Sequence, residues 1–211
     1  MNKIMNSTMK RITVRSLLLA ASIAQVALQP FAAFAANVNP PPPGTVTEWG
    51  YTTGSSRPTT VTLPSGVLAL AIAAGQFHNL AITTDGLYTW GGGATLSGKV
   101  AFPLTVTTVL AVAGGMGHSL ALTDDGLYAW GGNASGQLGN GTTTDSSVPV
   151  KVIFPAGVTV HAIAAGSYHS MAMTDAGLYT WGDNGGAQLG DGTHIDRSLP
   201  VKVVFPSAVK T

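Results

Sequence analysis

Residues 75–91 (GQFHNLAITTDGLYTWG), 115–131 (GMGHSLALTDDGLYAWG) and 166–182 (GSYHSMAMTDAGLYTWG) are three copies of one phrase. Its internal spacing is invariant: His78 to Trp90, His118 to Trp130 and His169 to Trp181 are each 12 positions apart. A fixed phrase at a long period marks a repeat architecture, in which each copy buries its apolar surface against the next. It also argues against reading any single recurring residue as part of a unique active site. A residue present at the same place in every copy serves the repeat.

Within each copy the periodicity is that of strands. Residues 70–73, 110–113 and 161–164 are short apolar runs that end in glycine-containing turns. His-x-(Leu/Met)-Ala-x-Thr follows and alternates as a half-buried strand does. Asp85-Gly86 and Asp125-Gly126 are hairpin-turn signals, since glycine accepts the positive φ such turns require. The third copy has Ala176-Gly177 and keeps only the glycine. Leu-Tyr-x-Trp-Gly is then a return strand with both aromatics on one face. Residues 148–152 (VPVKV) and 199–203 (LPVKV) suggest a fourth strand. Four short antiparallel strands, repeated, describe an all-β fold of β-propeller-type blades. A partial copy precedes the three: Thr47-Glu48-Trp49-Gly50 matches the end of the phrase, and Pro58 with Val61 matches the strand after it. The expected content is about three blades plus part of another, an incomplete ring. Trp49, Trp90, Trp130 and Trp181 are separated by 41, 40 and 51 positions. The longest interval comes from a loop at 133–145 (NASGQLGNGTTTD), and 184–196 (NGGAQLGDGTHID) is its near-copy.

Before the repeats the composition changes. Lys3, Lys10, Arg11 and Arg15 form a positive head, an apolar stretch covers 17–28, and Ala33-Phe34-Ala35 is a small-x-small site. That order is expected of a secretory signal at 1–35. Gln25, Gln29 and Pro30 keep the apolar run below the roughly 20 residues a membrane span needs, so no span is expected after cleavage. Residues 36–44, with four prolines at 40–43, are expected to be an extended linker. The repeat domain is then 45–211, and its location extracellular or periplasmic. Without the signal, six basic residues face nine acids, a net charge of −3. Nucleic acid needs clustered Lys and Arg, and here they are scattered with the wrong net sign, so no nucleic-acid partner is expected. There is no cysteine, so packing and backbone pairing must hold the fold without disulfides.

Three chemistries can be weighed. His78, His118 and His169 suggest a zinc site, but zinc needs its nitrogens about 2.0–2.1 Å from one ion, and equivalent places on successive sheets diverge. Each histidine is expected to bond within its own blade. Asp183-Asn184-Gly185 and Asp191-Gly192-Thr193 resemble parts of a calcium loop, but Asn140 replaces Asp191 in the other copy and the alternating ligands are incomplete. Glu48 is the sole glutamate after residue 35, and no serine sits in a Gly-x-Ser-x-Gly elbow, so no catalytic residue is expected, nor a metal or cofactor.

Trp130-Gly131-x-Asn133-x-x-Gly136-Gln137-Leu138-Gly139-x-Gly141, then Pro149-x-x-Val152, then Ala164-Ala165-Gly166-x-x-His169-Ser170 resembles the repeat of the regulator of chromosome condensation family. The resemblance runs from about Thr45 to the C-terminus and implies a β-propeller, seven-bladed in the family. The shorter copies around Trp49 and Trp90 also resemble those of the secreted, bacterial propeller-type β-lactamase inhibitory proteins. Three phrases and a fragment are fewer than seven. A longer gene product, copies of the chain completing a ring as a homo-oligomer, and an open arc all fit that count.

The two residues between Gly and His vary while their neighbours do not: Gln76-Phe77, Met116-Gly117 and Ser167-Tyr168. Occupying one turn of each blade, they should face one end of the repeat. Gln76, Phe77, Met116, Ser167 and Tyr168 are therefore the candidate contact residues for a protein partner; the alternative is that Phe77 and Tyr168 pack between blades. The functional expectation is a secreted, non-enzymatic module that binds another protein through one loop face. A structural segment of a larger surface protein, and a carbohydrate-binding or enzymatic propeller, are the alternatives.

Overall fold

A computed structural model of the chain describes residues 46–50, 55–91 and 94–205. The expected signal at 1–35 and the linker at 36–44 lie outside the described residues. Within them there are fourteen strands and no helix.

The first blade is β3 (Ala69–Ala74), β4 (His78–Thr83), β5 (Gly86–Gly91) and β6 (Ala94–Lys99). The second is β7 (Val109–Gly114), β8 (His118–Thr123), β9 (Gly126–Gly131) and β10 (Ser146–Lys151). The third is β11 (Val160–Ala165), β12 (His169–Thr174), β13 (Gly177–Gly182) and β14 (Arg197–Lys202). Each is a four-stranded antiparallel meander in sequence order. The partial copy forms only β1 (Val46–Gly50) and β2 (Ser55–Val61), paired to each other, so it is the outer half of a blade. The phrase thus covers the turn before the second strand, that strand, the hairpin and the third strand.

Register is the same in all three blades. The residue after the histidine pairs with the tryptophan: Asn79 with Trp90, Ser119 with Trp130, Ser170 with Trp181. Innermost strands slip register once, between Ala69 and Ala71, Val109 and Ala111, and Val160 and Ala162, an irregularity that increases local twist.

The hairpin turn sits one residue earlier than the sequence suggests. Thr83 pairs with Gly86, which leaves Thr84-Asp85 as the loop. Thr83 Oγ1 accepts the Asp85 N–H (3.1 Å) and donates to Gly86 O (2.9 Å). Glycine is required after the loop, not within it, and Gly86, Gly126 and Gly177 have φ of 128°, 126° and 111°. That is why the third copy tolerates Ala176 where the others have aspartate.

The core lies between sheets. Leu80, Ile82 and Leu87 of the first blade cluster with Ala121 and Trp130 of the second. Leu120, Leu122, Leu127, Leu138 and Val152 of the second cluster with Ile163, Ala172, Tyr179 and Trp181 of the third. Val46 and Val61 of the half-blade cover Ala81 and Trp90 of the first. The two aromatics of the return strand do share a face, because one ring meets both. Phe102 lies edge-on to Tyr128 (5.8 Å) and Trp130 (6.0 Å), and Phe154 to Tyr179 and Trp181 (5.7 Å each). Such edge-to-face pairs add about 0.5–1.5 kcal/mol beyond burial.

Candidate functional site

The turns that carry the candidate contact residues are built by their glycines and histidines. The imidazole folds back over the first glycine of the phrase. A Cβ on Gly75, Gly115 or Gly166 would lie 2.4, 2.2 or 2.2 Å from the ring of His78, His118 or His169. Nothing larger than glycine fits beneath the ring, which explains the Gly-x-x-His spacing. The turns are then linked across blades through the backbone. The Gln76 N–H donates to Gly115 O, and the Met116 N–H donates to Ser167 O, both at 3.0 Å. The three turns therefore form one continuous row.

Along this row Gln76 and Ser167 are exposed, Met116 is half-buried, and Phe77 and Tyr168 expose 37% and 44% of their surface. The structure thus brings all five candidate residues to the same edge, with the two large rings at its ends and Gly117 between them.

Two of the histidines depart from expectation. His78 and His118 bond to the next blade and not to their own. His78 Nε2 lies 2.8 Å from Ser119 Oγ, and His118 Nε2 lies 2.9 Å from Ser170 Oγ. Ser170 gives its proton to Gln137 O (2.9 Å), which also accepts Trp181 Nε1–H (2.9 Å). His118 must therefore donate from Nε2, which leaves Nδ1 unprotonated, buried and without a hydrogen-bond partner. Burial, with His78 and His169 nearby, lowers the His118 pKa to about 4. Burial also lowers those of His78 and His169. No group of three or more His, Asp or Glu among the described residues is arranged to hold a metal ion.

The serine after histidine and the carbonyl of Gln137 were not singled out from the sequence. The available signal was Ser at that place in the second and third copies and Gln-Leu-Gly in both loops.

Those loops are organised by one asparagine each. Asn133 Nδ2 donates to Thr142 O (3.0 Å) and Thr144 O (2.9 Å) while Asn133 Oδ1 accepts the Leu138 N–H (2.9 Å). Asn184 repeats this with Thr193 O, Ile195 O and the Leu189 N–H. In the calcium-like segment the Asp191 carboxylate accepts from Thr193 Oγ1 (2.7 Å), Asn184 Nδ2 (3.1 Å) and Arg197 Nε (2.8 Å). The Thr193 hydroxyl foremost, then Arg197, holds it well below the usual carboxylate range. Its lone pairs are spent on protein donors.

At the other end of the blades, near the hairpins, a cleft of about 490 Å³ includes Leu122, Asp124, Asp125, Lys151 and Phe154. Its acids are engaged. Asp125 accepts from Tyr128 Oη (2.6 Å), Thr105 Oγ1 (2.9 Å) and Lys151 Nζ (3.1 Å). Tyr128 first, then Lys151, brings its pKa down to about 2. Such an acid is ionised at neutral pH and poorly suited to proton transfer. Asp85, Tyr88 and Lys99 repeat the arrangement in the first blade. No helix among the described residues is long and apolar enough to cross a membrane, which leaves membrane β-barrels unaddressed.

A family model described as the regulator of chromosome condensation repeat matches residues 124–173 and 175–211. A second model of that repeat matches 70–94, 109–137 and 160–188. The ultraviolet-B receptor UVR8 of Arabidopsis thaliana is 33% identical over 175 residues, covering 76% of this chain and 40% of the receptor. Among solved structures, human WBSCR16 superposes with a TM-score of 0.65 at 26% identity, covering 77% of this chain and 49% of that one. Prp20p of Saccharomyces cerevisiae superposes with a TM-score of 0.63 at 25% identity, covering 80% and 49%. The chain therefore spans less than half the length of each of these proteins. Motif, blade and superposition agree: the chain belongs to the regulator of chromosome condensation repeat family of β-propeller proteins.

Proposed function

We propose that this chain is a secreted, non-enzymatic module that binds another protein through the row of Gly-x-x-His turns. The observation that carries the reading is the row itself. Backbone hydrogen bonds fix three turns side by side, and exposed rings stand at both ends. A rigid backbone that presents aromatic side chains is the usual make-up of a binding hot spot, because little entropy is lost on contact. The similar Prp20p has binding properties towards Gsp1p and histones, which makes protein a reasonable partner class here. The positive head, apolar stretch and Ala33-Phe34-Ala35 support export, with the mature chain starting at Ala36.

The test uses the exported protein, immobilised, with the proteins of the same compartment. Phe77→Ala with Tyr168→Ala is expected to weaken retention of the partner about 30-fold or more. Thermal unfolding should stay close to that of the parent, since exposed substitutions change stability by only about 0.5 kcal/mol. A double variant that unfolds would show the rings to be core. A folded variant that retains the partner undiminished would place binding elsewhere.

A further inference from the structure

The joint between the first and second blades lacks a piece that the joint between the second and third contains. Between β9 and β10 the chain runs through the Asn133 loop, which reaches onto the third blade. There Gln137 O accepts Ser170 Oγ–H and Trp181 Nε1–H, both at 2.9 Å. Gly139 lies so close that a Cβ on it would come within 2.7 Å of the Trp181 ring and 2.8 Å of the Val152 side chain. Leu138 is fully buried in the shared core. The Gly141 N–H donates to Ser198 O (2.9 Å). Between β5 and β6 the first blade has only two residues, Gly92 and Gly93.

The groups that receive such a loop are nevertheless in place at this joint. Ser119, Trp130 and Ser147 occupy the register positions of Ser170, Trp181 and Ser198. Each is less covered than its counterpart. Ser119 and Trp130 are 3% and 8% exposed where Ser170 and Trp181 are 0%. Ser147 is exposed where Ser198 is half-buried, and Val100 is half-buried where Val152 is buried. Among the described residues the Trp130 indole N–H has no acceptor and is not sealed from solvent. The Ser119 hydroxyl meets only His78 Nε2 (2.8 Å). Further blades would extend the repeat at its two ends and would not come between these two, so the notch belongs to the described blades themselves.

We infer that this notch is a binding site for a loop of a partner protein, one that carries Leu-Gly after an accessible carbonyl and folds as residues 137–141 do. The carbonyl accepts Trp130 Nε1–H and Ser119 Oγ–H. Having given its proton away, the serine accepts from His78 Nε2, which fixes His78 in the tautomer already imposed on His118. The leucine joins the cluster of Leu80, Leu87 and Trp130, and glycine is required where the backbone crosses the indole edge. The chain's own Asn133 loop is the template for the occupant. The site does not use the exposed rings of the turn row. Loss of partner retention in Phe77→Ala with Tyr168→Ala tests that row, and the peptide below tests the notch.

The probe is a synthetic peptide of residues 133–145 of this chain, closed head to tail. Its ends already meet in the fold, where Asp145 Oδ1 accepts the Asn133 N–H (2.7 Å), and closure holds the loop in its bound shape. It is added to the full chain, with the Trp130 indole and the His78 ring followed by NMR. In a parallel arm residues 133–145 replace Gly93, which removes the demand for affinity. In both arms exchange of the Trp130 N–H with water is expected to slow about tenfold or more, and His78 to settle with its proton on Nε2. With the peptide the change should saturate. Leu138→Ala in the peptide should weaken it about thirtyfold, and Trp130→Phe in the full chain about fivefold. A Trp130 N–H that already resists exchange in the full chain alone overturns the inference, because the notch is then filled from within. A peptide that leaves Trp130 and His78 unmoved overturns it too, even where the inserted loop protects both. Binding that neither substitution weakens does the same.

Discussion

Replacing Trp181 with alanine is expected to cost about 3–5 kcal/mol of stability, the range for removing a large aromatic from a packed interior. The ring is 0% exposed. It is the point where Leu138 and Val152 of the second blade, Phe154 of the connecting segment and the Gln137 carbonyl all meet the third. The loss is a large fraction of the whole stability of many domains, about 5–15 kcal/mol, so the unfolding midpoint should fall sharply. Trp181→Phe separates the two contributions. It keeps most of the buried area and loses the indole N–H, and Gln137 O still receives Ser170 Oγ. Its cost should be near the net value of one hydrogen bond, about 1 kcal/mol. Met173→Ala, at a side chain 47% exposed, is the control and should change stability by about 0.5 kcal/mol or less. Urea unfolding followed by circular dichroism measures all three. Equal midpoints for Trp181→Ala and Met173→Ala would refute a core that lies between sheets.

Acid should destabilise the protein in two steps, and the first belongs to His118. Its pKa is lowered to about 4 in the folded chain from about 6.5 in the unfolded one. The unfolded state therefore binds more protons between those values, and stability falls as pH falls through that window. It is fully present above about pH 6.5 and levels off below about 4. A difference of this size corresponds to about 3 kcal/mol. The physical cause is specific. With Nε2 committed to Ser170, the second proton must go to Nδ1, which is buried and has no acceptor. His78 and His169 act in the same direction. A lower window follows from Asp125. Its folded pKa of about 2 lies below the ordinary carboxylate value, so its contribution is present above about pH 4 and fades towards pH 2. His118→Gln keeps an amide donor for Ser170 without a titrating group. It should flatten the dependence of the unfolding midpoint between pH 6.5 and 4 and leave the lower window intact. A parent protein equally stable at pH 7 and pH 4.5 would contradict the assigned tautomer.

The blade was legible in the sequence because its periodicities are short and local. Alternation placed the strands, glycine placed the turns, and Leu-Tyr-x-Trp put two rings on one face. Thr47-Glu48-Trp49-Gly50 was enough to locate the half-blade. What the sequence hid is what crosses from one sheet to another. The histidine is three residues from its glycine, and that contact was implicit in the spacing. Its serine lies 41 or 52 positions away, in the neighbouring copy, and no local pattern distinguishes a bond within a blade from one between blades. The hairpin was misplaced by one residue because Asp-Gly is an equally good signal for a glycine inside the loop and a glycine just after it. The five candidate contact residues were found by their variation within a fixed frame. The sequence could not say that backbone hydrogen bonds fasten their turns into a row.

The histidine–serine links join each blade to its immediate neighbour and to nothing further along. Mechanically the three described blades are couplings in series, each joint independent of the next. Of the three described blades, the second is the one held by such links on both sides, so a disturbance at Tyr168 reaches Phe77 through it.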